Sequence, residues 1–233
     1  MEFYDLYVPG EDYDEIIETA CEMGFHGIGL THRYENKDLL NRYLEDMDEI
    51  GREDIDIVRC CEINAKTAEE MKRAVGKVRQ RVDIVEVVGG NFDINATAAK
   101  DRRVDILLHP EYKRKDPGMD HKTTKMAAKN EVTVGFVLHD LQHTYGKVRS
   151  HVINHIKKSI GLCKKYEAEF IVTSGAKNIY GLRSPRDLAS LLQVLGIGSS
   201  ESMDAISTIP KKIVRKNRKK LGGKIKRGGV EEV

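Results

Sequence analysis

Tryptophan is absent from this chain, and phenylalanine and proline each occur only five times in 233 residues. With aromatic residues at 6%, any core must be built mainly from aliphatic side chains. The four cysteines (Cys21, Cys60, Cys61 and Cys163) form no Cys-x-x-Cys pair. That excludes a zinc ribbon and leaves no disulfide framework, so they are read as small buried apolar residues in a reducing compartment. No apolar run approaches the length needed to span a bilayer. No signal-peptide pattern precedes the first strand-like segment, so the expectation is a soluble, cytoplasmic protein with no membrane partner.

What is present is charge, unevenly spread. The net charge is only +2, but residues 211–233 hold ten Lys/Arg against two Glu, a surplus of eight. The first 210 residues therefore carry a net −6. Such a basic segment suits a polyanion such as RNA. The domain reading follows this split: residues 1–210 as one domain and 211–233 as a basic C-terminal tail.

Short apolar runs alternate with helical patterns. Strands are expected at residues 3–8, 26–30, 55–63, 82–88, 104–108, 132–138 and 170–173. Helices are expected at 12–23, 37–50, 67–78, 96–100, 121–130, 148–166, 184–194 and 201–209. The run Val82–Val88 is nearly all apolar, as in a strand buried on both faces. Strict alternation of seven strands with helices predicts an α/β fold with a parallel sheet, closed into a TIM-barrel-like (βα) barrel. An eighth strand is not evident beyond a remnant at 195–197, so closure is expected to be imperfect; an open doubly wound sheet is the alternative.

In such a barrel the functional face lies at the C-terminal ends of the strands. Those positions offer His32, Glu62, His109, His139 and their neighbours, part of what a metal-dependent phosphoesterase would use. Against it, the first strand carries no His pair and the seventh ends in Ser174-Gly175-Ala176. His139 and His143 have metal-helix spacing, but Asp140 stands where a metalloprotease has Glu, and their helicity is doubtful. His151 and His155 read as a solvated or RNA-facing helix surface. Gly89-Gly90-Asn91 is a strand-to-helix turn that either cradles a phosphate or simply turns.

The most informative segment runs from Tyr180 to Leu192. Ser184 is a good N-cap, Pro185 fits the first helical position, and Leu188, Leu191, Leu192 and Leu195 form an apolar stripe. Arg183 and Arg186 flank this cap, where the positive end of the helix dipole disfavours a cation. Either Asp187 pairs with them, or they bind phosphate together with the helix N-terminus. Further cations stand at Arg103, Arg114, Lys122, Lys125 and Lys177, an intermittent surface suited to a phosphate backbone.

Several uncommon motifs now coincide. They are Val85-Glu-Val-Val-Gly-Gly90, Arg103-Val-Asp-Ile-Leu-Leu-His-Pro-Glu111, Asp116-Pro-Gly-Met-Asp-His121 with Lys125 and Ala127-Ala-Lys-Asn130, Ser174-Gly-Ala176, Leu182-Arg-Ser-Pro-Arg-Asp-Leu-Ala189 and Ile209-Pro-Lys-Lys-Ile-Val-Arg-Lys-Asn217. In this order they closely resemble the ribonuclease P protein component 3 family of archaea and its eukaryotic counterpart. The resemblance implies a TIM-barrel-like subunit of the ribonucleoprotein that removes 5′ leaders from precursor tRNA. It implies partners: the ribonuclease P RNA, the component 2 protein, other protein subunits, and precursor tRNA indirectly. It also implies that Mg²⁺ serves the RNA subunit, while this chain carries no catalytic residue, metal or cofactor of its own. The RNA-binding residues expected are Arg183, Arg186, Ser184 and Lys177, then His109, Arg114, His121, Lys125 and Arg103, and in the tail Lys211, Lys212, Arg215 and Lys216. The competing reading is an independent metal-dependent phosphoesterase of the polymerase-and-histidinol-phosphatase type using His32, Glu62, His109 and His139.

Overall fold

The computed structural model describes residues 1–50 and 52–222. Seven parallel strands lie side by side in chain order: β1 (Tyr4–Val8), β2 (Gly27–Arg33), β3 (Asp56–Ile63), β4 (Ile84–Val88), β5 (Ile106–Leu108), β6 (Thr133–Val137) and β7 (Phe170–Thr173). Helices alternate with them: α1 (Tyr13–Glu22), α2 (Lys37–Glu49), α3 (Ala68–Val78), α4 (Phe92–Ala98), α5 (His121–Asn130), α6 (Leu138–Gln142), α7 (Gly146–Tyr166) and α8 (Pro185–Val194). Then come α9 (Ser199–Asp204) and α10 (Thr208–Leu221). This is the TIM-barrel-like fold, nearly closed, with one seam between β1 and β7.

Side chains and single backbone bonds span the seam instead of a ladder. The Tyr7 N–H donates to the Thr173 hydroxyl (3.1 Å), and the Gly175 N–H donates to the Tyr7 carbonyl (3.1 Å). Asp5, fully buried, accepts from the Ser174 N–H (3.2 Å) and from the Thr173 hydroxyl. Burial raises the Asp5 pKa, opposed by these same hydrogen bonds. Below them, the Tyr4 N–H donates to Ile206 O (2.9 Å). Among the described residues no eighth strand forms: residues 195–197 are a turn after α8.

Two apolar layers result. Between sheet and helices lie residues such as Ile16, Leu40, Met71, Val87, Phe136, Ile160 and Leu192. Inside the barrel are Leu6, Val58, Cys60, Ile84, Ile106 and Ile171, and α10 adds Ile213 and Val214 to that inner cluster. Thus α10 caps the N-terminal mouth of the barrel. Asn217 donates from Nδ2 to Asp83 O (2.9 Å), and Arg218 donates to Asp56 Oδ1 (2.7 Å) and Ile57 O (2.9 Å). The boundary drawn at residues 210 and 211 falls inside this helix. Residues 211–221 are part of the barrel's own packing, because an apolar stripe hides among the lysines. The remainder of the expected tail, residues 223–233, lies outside the described residues.

Other differences are local. Helix α4 starts four residues earlier than expected, because Asn91 caps it by accepting from the Asp93 N–H (2.9 Å) directly after the Gly89-Gly90 turn. His139 does lie on a helix, the short α6. His155 is buried, so it is not an RNA-facing surface residue.

Candidate nucleic-acid interface

The C-terminal strand ends carry a set of paired polar groups. Tyr7 donates its hydroxyl to Glu62 Oε2 (2.7 Å), and Arg33 donates Nε to Glu62 Oε1 (2.9 Å). Thr31 donates to Glu86 Oε2 (3.2 Å). Burial, followed by the charge of Glu62, pushes the Glu86 carboxyl well above the ordinary range. His109 Nδ1 lies 2.5 Å from Asp140 Oδ2, and its ring stacks on Tyr112 with centroids 5.0 Å apart. Burial alone would lower the His109 pKa. The hydrogen bond and charge of Asp140, helped by Glu111 and Glu62, raise it instead. Glu111 is buried beside it, and burial pushes its carboxyl up to about 7.

These contacts bear directly on the phosphoesterase reading. The Glu62 carboxylate is already held by a phenol and a guanidinium, and that cation opposes a metal ion at the same oxygens. His32 lies flat on Tyr43, with centroids 5.1 Å apart. The His139 ring lies tilted against His143, with centroids 3.9 Å apart. Among the described residues, no group of three or more His, Cys, Asp or Glu side chains is placed to hold a metal ion. The residues present do not fit such a centre, and no catalytic step follows from them.

The edge formed after β6 and β7 is different in kind. Ser184 caps α8: its Oγ accepts from the Asp187 N–H (3.3 Å) and donates to Asp187 Oδ2 (2.8 Å). Leu188, Ala189 and Leu192 bury the opposite face of the helix. The two arginines beside this cap behave differently. Half-buried Arg183 donates from Nη1 to Tyr180 O (2.8 Å) and Leu182 O (2.5 Å). With the Gln142 amide oxygen turned toward it, Arg183 also donates from Nη2 (3.0 Å) and Nε (3.1 Å). It therefore ties the β7–α8 connection to α6 through neutral acceptors and keeps its charge uncompensated. Arg186 is exposed, and its guanidinium has no hydrogen-bond or ion-pair partner among the described residues. Lys177 is exposed at the same connection.

The other expected contacts are scattered. His109 is buried and turned to Asp140. Arg114 is pinned by Asp116 (2.7 and 2.8 Å) and Gly90 O (3.2 Å), so the glycine turn presents a carbonyl to a guanidinium. His121 bonds the Tyr166 hydroxyl (2.7 Å), and Lys125 lies 5.0 Å from that ring's centroid, where α5 meets the end of α7. Arg103, just before β5, is held by Asp101 (2.9 and 2.6 Å). On α10, Lys211 pairs with Glu2, Lys212 with Glu169 (2.7 Å) and Lys216 with Glu131 (2.7 Å); Arg215 lies near Glu2. Arg103 and the α10 cations therefore sit at the N-terminal end of the barrel, away from Arg183 and Arg186. Sequence reasoning passed over Tyr145 and Arg149, whose guanidinium lies 5.1 Å from the Tyr145 ring centroid. Two cations and a tyrosine within Tyr145-Gly-Lys-Val-Arg149 were the available signal.

The family model described as RNase P subunit p30 matches residues 2–221. The chain belongs to the RNase P subunit p30 family. Among relatives named ribonuclease P protein component 3, that of Methanothermobacter thermautotrophicus is 34% identical over 218 residues, covering 92% of this chain and 89% of the relative. That of Methanococcoides burtonii is 35% identical over 221 residues, covering 93% and 88%. A chain in a cryo-EM structure of archaeal ribonuclease P with mature tRNA superposes with a TM-score of 0.81 at 23% identity, covering 99% of this chain and 97% of that one. A zinc-containing histidinol phosphate phosphatase from Lactococcus lactis shares the fold more distantly, with a TM-score of 0.54 at 10% identity over 84% of this chain and 93% of that one. As a p30-family member, the chain is a protein subunit of ribonuclease P.

Proposed function

We propose that this chain is a non-catalytic, RNA-binding scaffold of ribonuclease P, supporting the RNA that removes 5′ leaders from precursor tRNA. The catalytic Mg²⁺ ions belong to the RNA subunit, and the component 2 protein is the chain's nearest protein partner in the particle. The observation that carries this reading is the β7–α8 edge. Among the described residues Arg186 and Lys177 have no carboxylate partner there, and Arg183 adds a charge paired with no acid. An RNA backbone supplies the missing anions, and the first turn of α8 favours them as well. The structurally similar chain described above comes from an archaeal ribonuclease P with mature tRNA, a setting that supports the reading. The α10 cations are a second, weaker contact, since four of them (Lys211, Lys212, Lys216 and Arg218) already hold carboxylates.

The test is the salt dependence of binding to ribonuclease P RNA. Arg186→Ala with Lys177→Ala is expected to lower affinity at every salt concentration and to reduce the log–log salt slope by about one per charge removed. Unchanged affinity and slope would sink the reading. Arg183→Ala with Arg186→Ala should weaken binding further, and a circular dichroism spectrum will show whether the loss of the Gln142 tether disturbs the fold.

A further inference from the structure

Two of the most exposed large hydrophobic side chains among the described residues are tyrosines on this same edge. Tyr145 is 75% exposed and Tyr180 is 82% exposed. An isolated exposed tyrosine needs no explanation. These two are not isolated. Tyr145 is the residue before α7 and lies under the Arg149 guanidinium. Arg149 donates to Thr144 O (2.6 Å) and Gln142 O (3.4 Å). Gln142 is also the residue that receives Arg183, and Arg183 reaches on to the carbonyl of Tyr180. One chain of contacts, from the Tyr145 ring through Arg149, Gln142 and Arg183 to the Tyr180 backbone carbonyl, therefore ties the two tyrosine positions to the same edge.

The charge around them is one-sided. Residues 138–149 and 174–187 together contain Lys147, Arg149, Lys177, Arg183 and Arg186. They contain two carboxylates, Asp140 and Asp187, and both are engaged: Asp140 by His109 and Asp187 by Ser184. An exposed aromatic pair within uncompensated cations is the arrangement that takes single-stranded nucleic acid, with rings stacking on bases and cations following the phosphates. It does not suit a paired helix, whose bases already stack on one another.

We propose that Tyr145 and Tyr180 are stacking platforms for unpaired nucleotides of RNA, held in register by the Arg149–Gln142–Arg183 tether. The proposal rests on the RNA-binding reading above and adds to it the class of RNA recognised: single-stranded bases rather than backbone alone.

Because the chain lacks tryptophan, Tyr180→Trp and Tyr145→Trp each create a single fluorophore at the proposed contact. The probe is a single-stranded oligoribonucleotide of about 12 nucleotides, compared with the same strand in a duplex. Stacking predicts that the single strand quenches both reporters and the duplex does not. It also predicts that Tyr145→Ala or Tyr180→Ala weakens binding of the single strand about tenfold, that Tyr→Phe retains it, and that the alanine variants keep the salt slope unchanged. Two results overturn the proposal. One is wild-type single-strand affinity in both alanine variants while Arg186→Ala with Lys177→Ala still weakens binding, which leaves the backbone reading intact. The other is unaltered RNA binding with loss of a ribonuclease P protein subunit from the particle, which assigns these tyrosines to a protein interface. If the Arg186 and Lys177 variant also binds normally, the underlying RNA-binding reading fails with it.

Discussion

At the residue scale, the two arginines beside the α8 cap divide the work. Arg183 has four of its five N–H donors taken by Tyr180 O, Leu182 O and Gln142, which fixes its geometry at the edge. Arg186 is the one free to meet a phosphate. The helix cap could be read from Ser184-Pro185-Arg186-Asp187 because all its partners are local. The tether could not, because Gln142 is 41 residues upstream and only the barrel brings α6 beside α8. The buried acid Glu111 was equally invisible, since burial is a property of the fold. Its raised pKa has a consequence for stability. A carboxyl whose folded-state pKa lies above its unfolded value stabilises most below the unfolded pKa and loses that contribution as pH rises through the folded value. His109, also raised, acts in the same direction. Unfolding free energy should therefore fall between about pH 4.5 and about pH 7, by up to about 3 kcal/mol from Glu111. Glu111→Gln, which resembles the neutral acid, should flatten that slope in urea titrations across this range. A slope unchanged by the substitution would show that Glu111 ionises normally.

At the element scale, the barrel's weak place is its seam, and its plug is α10. Thr173 bridges β1 and β7 by accepting from the Tyr7 N–H and donating to Asp5. Thr173→Val keeps the shape but leaves a buried N–H and a buried carboxyl short of partners. The expected loss is about 1–3 kcal/mol, read from the denaturant midpoint. A neutral result would mean that the remaining Ser174–Asp5, Gly175–Tyr7 and Tyr4–Ile206 bonds suffice to close the seam. For the plug, Ile213→Ala should cost about 2 kcal/mol, near the low end for such truncations because the site borders the barrel mouth. If α10 were merely a charged tail, this change would have no effect on unfolding. The elements with purely local signals were legible: α5 and β7 begin and end where periodicity and caps predict. Helix α10 was hidden because Ile213, Val214 and Asn217 alternate with seven Lys and Arg residues between positions 211 and 220. Charge composition overrode an apolar stripe that only the barrel interior reveals.

At the scale of the whole molecule, cations gather at both ends of an otherwise acidic body. At the N-terminal end four of the seven α10 cations are balanced by Glu2, Glu131, Glu169 and Asp56. At the C-terminal end, beyond β6 and β7, Lys177, Arg183 and Arg186 have no such acids among the described residues. At the strand ends, meanwhile, Glu62 is held by Tyr7 and Arg33, and His109 by Asp140. On the proposed reading this fold serves as a scaffold, with RNA contact at one edge and cleavage left to the RNA. The most direct measurement is precursor-tRNA cleavage by the reconstituted particle at near-physiological Mg²⁺, with this chain present, omitted, or carrying Arg183→Ala with Arg186→Ala. A scaffold role predicts a loss of cleavage on omission, a partial loss with the double variant, and no cleavage by the purified chain without RNA. Full cleavage in its absence, or RNA-free hydrolysis by the chain alone, would contradict that role.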